Sequence, residues 1–99
     1  MSPVSAILDL RLKPEMLDQA PAILRDVLKD TRAFPGCVSI DTLIDAADPA
    51  HVVVYEVWDS AEADAAYRAW RATPAGASSL GSVLAGAPSL TKFTRAADI

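Results

Sequence analysis

Residues 4–12, VSAILDLRL, alternate strictly: Val4, Ala6, Leu8, Leu10 and Leu12 take one face, and Ser5, Ile7, Asp9 and Arg11 the other. Successive side chains of a strand point to opposite faces, so this pattern predicts a strand, ended by Lys13-Pro14. From Glu15 to Arg32 the spacing of apolar positions lengthens to that of a helix. Leu17, Ala20, Leu24, Val27, Leu28 and Thr31 form one stripe, with Arg25, Asp26, Lys29 and Asp30 on the far side. Pro21 cannot donate to the preceding turn. Either the regular helix begins near Asp18, with Pro21 in its tolerant first turn, or an earlier turn is bent there. FPGC at 34–37 breaks the helix, and CVSIDTLID then alternates again, with Val38, Ile40, Thr42 and Ile44 set against Ser39, Asp41 and Leu43. AADPA reads as a turn and makes a hairpin into HVVVYEVW at 51–58.

A second helix is predicted from Asp59, with Asp59 as N-cap and Glu62 as its capping-box partner. Ala63, Ala66, Tyr67 and Trp70 then fall on one stripe. Thr73-Pro74 has the form of an N-cap and first helical residue, which predicts a restarted helix with Ala77, Leu80 and Leu84 inward, stopped by Gly86 and Pro88. SLTKFTR at 89–95 completes the chain as a more polar strand. The order β-α-β-β-α-β is that of a ferredoxin-like α+β fold with a four-stranded antiparallel sheet, in which the first and third strands are central. These are the two most apolar candidates, so pattern and topology agree. One domain, 1–99, accounts for the whole chain.

The third strand is apolar on both faces: Val53, Tyr55 and Val57 on one, Val52, Val54 and Trp58 on the other, with Glu56 the exception. Two helices cover only one face of such a sheet. The other would expose a contiguous apolar patch, which a monomer rarely tolerates, and this predicts a homodimer packed sheet on sheet.

Composition narrows the partners. A formal charge of −4 with no cluster of Lys and Arg argues against nucleic acid and against an anionic membrane surface. No apolar run approaches the ~20 residues needed to span a bilayer. The opening MSPVSAILDLRLK is interrupted by Asp9 and Arg11 and does not read as a leader. The single cysteine, Cys37, suits a reducing compartment, and the expectation is a soluble cytoplasmic protein.

Four of the six aromatic residues fall within YEVWDSAEADAAYRAW, residues 55–70, where a strand becomes a helix. They either fill a core that alanine cannot, or wall a pocket for a flat, apolar ligand. Pro14, TRAFPGCVSID at 31–41, YEVWDSAEA at 55–63 and the TP at 73–74 together resemble the antibiotic-biosynthesis monooxygenase (ABM) domain family, small dimeric α+β barrels. The resemblance implies a ligand cavity in each subunit between sheet and helices. It also implies oxidation of phenolic or quinol substrates with O2, without metal or flavin; a related branch cleaves haem. Family members commonly carry a histidine nine residues after the motif Trp, and here that position is Tyr67. The haem-binding histidine of the related branch has no counterpart, which weighs against histidine-dependent chemistry and against haem above all.

The site candidates follow. Trp58 matches the family Trp and is expected to stack on an aromatic substrate, the alternative being a plain core residue. Tyr67 is candidate for both substrate binding and catalysis, since its hydroxyl could meet a ligand oxygen, or it fills the core. Trp70 reads as core or interface. Glu56 and Asp9 are acids among apolar neighbours; each either reaches an edge or interface, or is placed to take a phenolic proton. For Asp9 an ion pair with Arg11, on the same face, is the plainer expectation, and Glu56 could bond across the dimer. His51 and Cys37, each the sole residue of its type, form no metal site, and no Gly-rich loop offers a seat for a nucleotide cofactor. Two functions remain: a cofactor-free monooxygenase for a small phenolic or quinol-like molecule, or a non-catalytic dimeric binding protein for a small hydrophobic metabolite.

Overall fold

The computed structural model describes residues 2–99. Its elements are β1 (Val4–Arg11), α1 (Ala20–Ala33), β2 (Cys37–Asp45), β3 (Asp48–Trp58), α2 (Ala61–Arg71) and β4 (Ser89–Thr94), with short 3-10 turns at Pro14–Met16, Pro74–Gly76 and Leu80–Val83. The strands form one antiparallel sheet in the order β2-β3-β1-β4, so the two most apolar strands are central, as a ferredoxin-like α+β fold requires. Val4, Ala6, Leu10, Ile40, Val52, Val54 and Trp58 are buried beneath the helices. The α1 stripe meets them with Ala20, Leu24, Val27, Leu28 and Thr31. The helix starts at Ala20, later than Asp18, and Pro21 falls in its first turn, where the missing N–H removes no helical bond.

Pairing aligns Ser5 with Val57, Ile7 with Tyr55 and Asp9 with Val53 on the other side of the sheet. That side has no helix. Leu43, Tyr55 and Phe93 are exposed there, and Ile7, Val53 and Val57 lie between them in one shallow apolar depression. The outward face of β3 is therefore Val53, Tyr55 and Val57.

Three local expectations change. The cap of α2 is Ser60, whose hydroxyl accepts from the Ala63 amide at 3.1 Å, rather than Asp59. The Asp59 amide instead donates to the Gly36 carbonyl at 2.9 Å, which holds Asp59 in the bend and delays the helix by one residue. Gly36 has φ +90, a conformation that favours glycine, and a Cβ there would strike Ala63. The restarted helix after Thr73 does not form. Thr73 does cap, accepting from the Gly76 amide at 3.2 Å, but only a 3-10 turn follows. Gly76 lies so close to the Trp70 carbonyl that no side chain fits. Val83 is buried in place of the predicted Ala77, which is exposed. Finally, Asp9 does not pair with Arg11. Arg11 reaches Asp48 at 2.8 Å, and Asp9 meets His51 Nε2 at 3.1 Å.

Candidate functional site

Glu56 is 1% exposed, in the middle of an apolar strand. An unpaired buried carboxylate would be costly, and the chain answers it from α2. Arg68 Nη2 donates to Glu56 Oε1 at 2.6 Å, and the Trp58 indole N–H donates to the same oxygen at 3.0 Å. Neither bond uses Oε2. Arg68 Nη2 also donates to Asp64 Oδ1 at 3.0 Å, and Asp64 Oδ2 takes Lys92 from β4 at 2.5 Å. Asp64 is as buried as Glu56. Two acids and two cations thus balance beneath α2.

One turn along α2, Arg71 makes a second knot. Its Nε donates to the Tyr67 hydroxyl at 2.7 Å, Nη1 to the Gly76 carbonyl at 3.2 Å, and Nη2 to the Val27 carbonyl at 2.9 Å and to Thr31 Oγ1 at 3.1 Å. Thr31 bonds the Val27 carbonyl at 3.3 Å, which it can do only as donor, so Tyr67 donates to Thr31 across their 2.7 Å contact. The Tyr67 hydroxyl is oriented from α1 and α2 at once.

Between these knots and the sheet lies a cavity of about 190 Å³. Leu8, Leu10, Leu24, Leu28, Val54 and Leu80 give it apolar walls, and Glu56, Tyr67, Arg68, Arg71 and Ser78 give it polar groups. Few convergent polar groups in an apolar enclosure is the usual make-up of a small-ligand site. An apolar cavity of about 150 Å³ holds benzene, so this larger one suits a substituted single ring or a small fused pair. Leu24 and Leu28 separate it from a more open apolar depression of about 330 Å³ between α1 and β2.

The sequence-predicted residues divide. Tyr67 and Glu56 line the cavity together. Trp58 is fully buried one layer behind, stacked on Tyr67 with ring centroids 4.8 Å apart. Phe34 packs edge-on against both rings, and Trp70 closes the cluster at the surface. Trp58 therefore supports the wall from behind, because its indole N–H is drawn to Glu56 and Tyr67 covers its face. Asp9 lies on the opposite side of the sheet, beside His51, and does not meet the other candidates. His51 is half-buried, held by Asp45 at 2.9 Å and by Asp9; these hydrogen bonds raise its pKa and that to His51 lowers Asp45's. Burial pushes the Cys37 thiol up, which makes it a poor nucleophile. Among the described residues no group of His, Cys, Asp and Glu side chains is arranged to hold a metal ion.

Arg68, Arg71 and Asp64 were not singled out from the sequence. Their signal was present: Asp64 and Arg68 stand four apart on α2, an acid–base spacing that meets on one helix face.

Residues 3–76 match the family model for antibiotic biosynthesis monooxygenase. No curated protein matches the chain. Among solved structures, an antibiotic biosynthesis monooxygenase is 23% identical with a TM-score of 0.75, covering 91% of this chain and 95% of its own. Rv0793 from Mycobacterium tuberculosis is 25% identical with a TM-score of 0.75, covering 93% of each chain. A conserved protein from Methanosarcina mazei Go1 is 14% identical with a TM-score of 0.77, covering 94% of this chain and 92% of its own.

Proposed function

Because the chain belongs to the antibiotic biosynthesis monooxygenase family, we propose that it oxidises a small phenolic or quinol-like compound with O2, without metal or flavin and as a homodimer. The observation that carries this reading is Glu56: a buried carboxylate at the cavity wall, anchored through Oε1 alone. A base held rigidly by one oxygen keeps the other for a substrate proton.

The ring enters the apolar part of the cavity with its hydroxyl toward Glu56 Oε2, which takes the proton. The anion passes one electron to O2, and the radical and superoxide combine at a ring carbon, forming a C–O bond. Glu56 returns its proton to the peroxide. Cleavage of the O–O bond, with loss of the hydrogen on that carbon, leaves one oxygen as a carbonyl and releases the other in water. The substrate supplies all the electrons. The protein contributes an enclosed site, an oriented base and cations beside the developing negative charge.

The homodimer rests on the helix-free sheet face. Leu43, Tyr55 and Phe93 are exposed there around Ile7, Val53 and Val57, a contiguous apolar surface that a second copy would cover. The single thiol suits the reducing cytoplasm.

A second reading is a non-catalytic binding protein for a small hydrophobic metabolite. It is favoured by Tyr67, which stands in the position of the common family histidine and whose hydroxyl is fully engaged with Arg71 and Thr31. An oxygen electrode separates the two. Metal-free protein mixed with single-ring quinols and naphthols should consume O2 above the rate of spontaneous oxidation, with loss of the excess in Glu56→Gln. Saturable binding without excess consumption would leave the second reading.

A further inference from the structure

The charges around the cavity do not cancel. Glu56 and Asp64 are met by Arg68 and Lys92, two acids against two cations. Arg71 also lines the cavity, yet among the described residues it forms no ion pair. Its partners are two backbone carbonyls, two hydroxyls and the faces of Tyr67 and Trp70, all neutral. A half-buried cation with only neutral partners raises the potential of the enclosure it borders. Its hydrogens are also not exhausted. A guanidinium has five N–H groups, and four are engaged here, which leaves one on Nη1. One free N–H and one uncompensated positive charge therefore border a cavity whose walls are mostly apolar.

We propose that Arg71 is the seat of an anionic oxygen, so that the cavity selects ring compounds carrying an acidic hydroxyl, bound as phenolate or enolate. This deepens, and rests on, the assignment of the cavity as the substrate site. It also gives Arg71 a role distinct from that of Glu56: the carboxylate accepts the proton and the guanidinium holds the charge left behind. The bound anion is the form that can give an electron to O2, so the same contact sets both affinity and reactivity.

The test is equilibrium binding under argon, where no turnover occurs, using wild-type protein and a series of substituted 1-naphthols of graded acidity, each paired with its methyl ether. At fixed pH, affinity should rise with the acidity of the hydroxyl. Each ether, larger by one methyl group and unable to ionise, should bind at least about tenfold more weakly, the scale of one charge-assisted hydrogen bond. The bound naphthol should show the absorption spectrum of its anion at a pH below its free pKa. Arg71→Lys should retain the spectral shift, and Arg71→Met should lose it. Arg71 ties α1, α2 and the turn at Gly76 together, and where Arg71→Met does not fold, the ether series on wild-type protein decides the matter without it. Equal affinity of naphthols and ethers, with the bound naphthol spectrally neutral, overturns the proposal even if O2 is consumed. Anion-selective binding without O2 consumption upholds the seat and removes the monooxygenase reading.

Discussion

Replacing Glu56 tests both the packing and the chemistry of the site. In Glu56→Ala the buried indole N–H of Trp58 loses its acceptor, at about 1–3 kcal/mol for an unsatisfied buried donor. Arg68 loses its 2.6 Å partner but keeps Asp64, so that loss falls at the low end of the 1.5–3 kcal/mol of a charge-assisted bond, about 1.5. The total, about 2.5–4.5 kcal/mol, overlaps the cost of breaking a buried ion pair and is a large share of the ~5–15 kcal/mol that stabilises a domain. Glu56→Gln keeps the shape and one acceptor oxygen and should cost about 1–2 kcal/mol. Urea unfolding at one fixed protein concentration reads these as shifts of the midpoint at constant slope. Turnover should order the variants differently. Gln removes the base while leaving the cavity intact, and should lower kcat by about a hundredfold or more with little change in ligand affinity. If Ala costs less than about 1 kcal/mol, the carboxylate is not paired as described. If Gln turns over like wild type, Glu56 only holds the fold.

Other outcomes are open to measurement. The wild type should be dimeric by light scattering at micromolar concentration, and Val53→Asp or Tyr55→Asp should dissociate or unfold it by placing an unpaired charge in the interface; a monomeric wild-type mass refutes the sheet-face argument. Tyr67→Phe strips Arg71 Nε of its acceptor and should cost about 1.5–3 kcal/mol in urea unfolding, while turnover falls more than affinity if the hydroxyl fixes Arg71 for the transition state. His51, the sole histidine, should titrate in proton NMR above its ordinary value, because the protonated ring donates to Asp45 and Asp9, which outweighs the opposing effects of its partial burial and of Arg11. Its stabilising contribution is complete below the unfolded histidine pKa of about 6.5 and is lost as pH rises through the raised value. The contribution of Asp45 runs the other way: present above about pH 4 and lost as pH falls through its lowered value. Asp45→Asn should bring the His51 midpoint down, and an unchanged midpoint would refute the bridge.

What could be read from the sequence followed the strength of its periodicity. The alternation of β1 assigned Ala6 and Leu10 to a face that is buried except at the half-buried Leu8, and the 15–32 stripe found the inward side of α1 through Thr31. The same method misread α2. It chose Ala63, Ala66, Tyr67 and Trp70, whereas the buried residues are Asp64 and Tyr67, Ala66 is exposed, and Trp70 is half-buried. An apolar-stripe argument counts polar residues as outside by construction, so it could not place Asp64, Arg68 and Arg71 against the sheet. After Trp70, Pro74, Gly76 and Gly81 leave too little helix propensity for the Thr73 cap to extend, and the segment settles into two 3-10 turns.

Charge accounting would have reached further than hydrophobicity. Glu56 stands in a strand whose neighbours on both faces are apolar, and a buried carboxylate obliges the fold to bring a cation to it. The next cations along the chain are Arg68 and Arg71, both on the helix that returns across β3, and only Arg68 has an acid four residues before it. Glu56 and Asp64 therefore claim Arg68, and Arg71 is left without an acid of its own, in contact with hydroxyls, carbonyls and rings. Glu56, Arg68 and Arg71, which the apolar pattern did not place inside, form most of the polar wall of the cavity. In a small domain, where most interior positions are committed to packing, a polar residue that defeats the periodicity marks a site more sharply than an aromatic that obeys it, and here Trp58 obeys it and is packed away while Glu56 does not and is left at the cavity wall.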